Sequence, residues 1–67
     1  MSRTKQLIDE LIQKKAGGNR FQESNVKMKL MFKGIMPDKI TDETPEDDEI
    51  ISKIFEVADQ FNVVLTK

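Results

Sequence analysis

The sequence predicts an all-α fold, a small three-helix bundle with helices at about 3–16, 20–33 and 45–61 and a short apolar C-terminal tail. Three observations predict it. Apolar residues recur at helical spacing in the first and last segments. Ser, Asn, Thr, Pro and Gly stand where helices begin and end. One middle stretch alternates as a half-buried strand would, but no second strand of its length exists to pair with it.

The first helix rests on Leu7, Ile8, Leu11 and Ile12, which fall within an arc of about 140° when successive residues turn by 100°. Ser2 can cap its start. Lys14 and Lys15 suit the negative end of the helix dipole, and Gly17-Gly18 stop it.

The middle segment sets Val26, Met28, Leu30 and Phe32 in alternation with Lys27, Lys29, Met31 and Lys33. Only Val26 is β-branched, and Lys, Met and Leu favour helix. Asn19 and Gln22 resemble a capping box, and Gly34 suits a helix end. Helix is therefore expected. Drawn as one, it is apolar on two sides. Phe21, Met28, Met31 and Phe32 share one side, continued by Ile35, and this is the expected core face. Val26 and Leu30 lie nearly opposite and are the expected leftover face.

Residues 34–44 read as an ordered loop containing Ile35, Met36, Pro37 and Ile40. In the last segment, Thr44 reads as the N-cap and Pro45 as the first helical residue, with acids in the first turn. Ile50, Ile51, Ile54, Phe55, Val57, Ala58 and Phe61 lie within about 160° of arc. Asn62 suits a left-handed helix end, with Val63 folding back.

Composition excludes more chemistry than it suggests. The 67 residues contain no Cys, His, Trp or Tyr. Neither a thiolate zinc site, nor a cysteine nucleophile, nor a histidine base can be built from that set. Asp47 and Asp48 are adjacent carboxylates with no expected pocket around them. Ser2, Ser24 and Ser52 have no histidine to activate them. Gly17-Gly18 lacks the further Gly and Lys of a phosphate loop. Neither enzymatic activity nor a cofactor is expected.

Read as a twelve-residue calcium loop, Asp38 to Glu49 puts Ile40 where a ligand oxygen is needed and Glu43 where Gly is needed. No metal site is expected. The run Asp42-Glu43 and Glu46 to Glu49 reads instead as acids favoured by a helix N-terminus.

Charge divides along the chain. Residues 1–33 carry eight Lys/Arg against three Asp/Glu, and residues 34–67 carry three against nine, so +5 and −6 give the overall −1. Arg20, Lys27, Lys29 and Lys33 are the candidate nucleic-acid contacts, with Phe21 and Phe32 interleaved. Stacking needs exposed rings, and both are expected in the core. Eleven residues between the second and third helices are too many for a helix-turn-helix.

The chain is expected to form one domain, cytoplasmic by default, since no targeting segment or membrane-spanning run is evident. So small a core leaves little net stability, which favours self-association. The expected function is a non-catalytic protein-interaction or regulatory module that binds itself, as a homodimer, or another protein. Val26, Leu30, Met28 and Met31 are the candidate interface, and Met28, Met31 and Met36 suit either core filling or an adaptable surface. A small nucleic-acid-binding protein is the alternative, and a metal-responsive domain using the acidic run 42–49 is a third reading.

Overall fold

The computed structural model describes residues 2–41 and 43–65. Among these, three α-helices follow one another: α1 (Arg3–Ala16), α2 (Arg20–Phe32) and α3 (Asp48–Gln60), with a single 3-10 turn at Pro37–Lys39 between the last two. Leu7, Ile8 and Leu11 of α1, Val26 and Leu30 of α2, and Ile51, Ile54, Val57 and Ala58 of α3 meet in one aliphatic core with Ile35 and Leu65. The bundle is all-helical, as the sequence implies.

α1 has the predicted bounds and caps. The Ser2 hydroxyl accepts from the Lys5 N–H at 3.3 Å, and Gly17, at φ 55°, turns the chain left-handed and donates to the Gln13 carbonyl. Asn19 starts α2 by accepting the Phe21 and Gln22 N–H groups at 2.9 and 3.2 Å. The segment 26–33 is helical through Phe32, with Lys33 as its C-cap.

At the end of α2, Gly34 takes φ 84°. Its N–H donates to the Met31 carbonyl, and the Ile35 N–H donates to the Leu30 carbonyl, each at 2.9 Å. This is a Schellman closure, which lays the residue after the left-handed one against the side chain five positions earlier. Ile35 is thereby folded onto Leu30, and both are buried. The same closure ends α3: Asn62 has φ 58°, and the Val63 N–H donates to the Ala58 carbonyl at 2.8 Å. Val63 folds back as expected, and Leu65 follows it into the core.

α3 begins at Asp48, three residues later than the sequence reading placed it. Asp47 is the cap, its Oδ1 accepting the N–H groups of Glu49 and Ile50 at 2.9 and 3.3 Å. Thr44 is occupied elsewhere: its Oγ1 accepts the Thr41 N–H at 2.8 Å. Aspartate caps at least as well as threonine, and Asp47 stands immediately before the first turn that carries core residues.

The C-terminal tail is fastened to α1. Lys14 Nζ donates to the Val64 carbonyl at 2.7 Å, and Lys15 Nζ lies 5.3 Å from the centre of the Phe61 ring, within cation–π range. No helix is long and apolar enough to cross a membrane among the described residues.

Candidate protein-docking surface

The two sides of α2 are exchanged relative to the sequence expectation. Val26 and Leu30 are 0% exposed and sit at the centre of the core, so these two candidate interface residues are enclosed rather than presented. Phe21 is 84% exposed, Phe32 79%, Met28 50%, Met31 47% and Met36 46%. Met28 and Met31, the other two candidates, thus lie on the open side with both phenylalanines.

α1 and α3 bury their aliphatic residues against the Val26–Leu30 side, and in a close-packed interior these compact side chains fit with less volume than two phenyl rings would add. None of the four phenylalanines is among the buried core residues; Phe55 and Phe61 pack at its edge. The bulkiest apolar side chains of α2 are therefore the ones left in water. With roughly 150–250 Å² for each aromatic and half of Met28 and Met31 added, the open side carries on the order of 500 Å² of apolar side chain. That is toward the upper end for the largest patch on a monomer.

Cations flank this side. Lys27 Nζ lies 3.9 Å from Asp38 and Lys33 Nζ 3.6 Å from Glu56, so two of the four candidate nucleic-acid contacts lean toward acids of the C-terminal half. Arg20 is exposed and Lys29 half-buried at the margins of the apolar stripe. The exposure of Phe21 and Phe32 removes the reason for placing the rings out of reach of a ligand.

A second concavity lies between α1 and the α2–Pro37 region, an open groove of about 380 Å³ bordered by Lys5, Asp9, Glu23, Lys27 and Asp38. Two of its ion pairs close within it, Lys5 with Asp9 at 2.9 Å and Lys27 with Asp38 at 3.9 Å, and its lining holds no hydroxyl, thiol or imidazole side chain. Among the described residues no three acidic side chains are grouped so as to hold a metal ion. Asp47 is committed to its cap, and Asp42 lies outside the described residues.

Compared with known protein families, curated proteins and solved structures, the chain matches none. The functional reading therefore stands on the surface itself.

Proposed function

We propose that this chain is a non-catalytic protein-binding module that docks its partner on the open side of α2. One observation carries the reading: Phe21, Met28, Met31 and Phe32 lie exposed along a single helix face while smaller residues fill the core. Aromatic and Met side chains are enriched in the buried centres of protein interfaces, and Met adapts its shape to what it meets. Residue types for catalysis are sparse, and the groove beside α1 lacks a reactive pair.

A second reading, single-stranded nucleic acid, is favoured by the same exposed rings beside Arg20, Lys27, Lys29 and Lys33. The spacing of the rings weighs against it. Eleven residues along a helix is about 16 Å, too far for successive stacked bases, and the side chains between them on that line are the amide of Asn25 and the thioether of Met28.

Photo-crosslinking distinguishes these. With benzoylphenylalanine in place of Phe21, and separately in place of Asp59 on α3, irradiation in the producing cells should yield polypeptide adducts at position 21 well above those at 59. Equal yields at both positions would overturn the docking surface. Adducts to nucleic acid, with binding that weakens steeply as salt rises, would install the second reading.

A further inference from the structure

Along the open side of α2 run Phe21, Asn25, Met28 and Phe32, at steps of four, three and four residues. That is the spacing of a two-helix seam, in which alternate steps of three and four keep one stripe facing a partner helix. Three seam positions are apolar. The fourth, Asn25, is an exposed amide within the helix, and no cap contact or ion pair involves it among the described residues.

We infer that the partner is a second copy of this chain, its α2 lying parallel to the first so that each seam residue faces its own counterpart; the inference rests on the docking role proposed above. Three observations select this occupant. The first is Asn25. In a parallel two-fold pair the two amides meet, and each NH₂ can donate to the other's carbonyl oxygen, the arrangement by which a lone Asn in a seam fixes register and strand number. An antiparallel pair centred on the same stripe sets Phe21 against Phe32 and Asn25 against Met28, burying an amide against a weak acceptor.

The second is charge. In the parallel pair Lys29 lies beside Ser24 of the second copy, and Lys27 and Lys33 stay turned toward Asp38 and Glu56 of their own chain. The cations are thus held apart across the two-fold axis, and no acidic partner is needed to neutralise them.

The third is area. Full burial of two such faces, with Met31 at the flank of the seam, removes roughly 1,000 Å², the size a biological interface must reach. A pairing of that size is reversible, with self-association reached as concentration rises.

Sedimentation equilibrium of the full chain from low to several hundred micromolar tests this. The mass should climb from one copy to two. Asn25→Asp sets two carboxylates face to face in the seam and should raise the dissociation constant at least tenfold. Its helix content at low concentration should be unchanged, because the residue is exposed in the single copy. Ser52→Asp, on the exposed side of α3, should leave the dissociation constant in place. Orientation is read by disulfide trapping, since the chain has no cysteine of its own. An equimolar mixture of Phe21→Cys and Phe32→Cys should oxidise mainly to the two self-linked products. A mass that stays at one copy, an Asn25→Asp variant that pairs as wild type, or a mixed disulfide making up half the product or more would each overturn the inference. A one-copy mass together with crosslinks to a different polypeptide would leave the docking surface standing and remove only the second copy.

Discussion

Thr4 stands in the first turn of α1 with its side chain wholly enclosed, and its hydroxyl meets no donor or acceptor among the described residues. A buried polar group left without a hydrogen bond costs about 1–3 kcal/mol. Valine has nearly the same shape and helix propensity and carries no such group. Thr4→Val should therefore raise the unfolding free energy in urea by about 1–3 kcal/mol. A loss of stability would mean that the hydroxyl has a partner. Asp47 is the complementary case, a surface side chain whose two N–H acceptances start a helix. Asp47→Ala should cost about 0.5–2 kcal/mol, measured in the same titration. Thr44→Ala, which removes one contact within an exposed turn, should cost less. The reverse order would restore Thr44 as the cap.

At the scale of elements, α1 was legible residue by residue because every signal agreed. One apolar arc, one serine before it and two glycines after it admit a single reading. α3 was legible in type and at its end, where Asn62 supplies the left-handed turn. Its start was not, because Thr44-Pro45 and Asp47 are both good beginnings, and the contact of Thr44 with Thr41 and the two N–H groups taken by Asp47 appear only in the folded chain. α2 was legible as a helix but not in its orientation. Extending the helical wheel past Gly34 put Ile35 beside Met28 and Met31. The left-handed residue instead reverses the chain and stacks Ile35 on Leu30. Gly34 followed by an apolar residue was the signal in the sequence that Leu30, and Val26 one turn before it, face inward. Once that is recognised, Phe21 and Phe32 must face out, and the candidate surface follows.

For the molecule as a whole, the opposed charges of the two halves are brought together by the fold, but only at its surface. The pairs Lys27–Asp38 and Lys33–Glu56, at 3.9 and 3.6 Å, are exposed and contribute little to stability. The aliphatic core holds the bundle together, and the phenylalanines of α2 lie outside it. The central claim is this division of α2 into a buried Val26–Leu30 side and an open Phe21–Phe32 side, and thermal unfolding at low micromolar concentration tests it most directly. Val26→Asp should abolish the cooperative transition or lower stability by more than about 4 kcal/mol, as an unpaired charge in a core does. Phe21→Ser should leave the transition within about 0.5 kcal/mol of wild type, as a surface substitution does. A Val26→Asp protein that melts normally while Phe21→Ser unfolds would contradict the account.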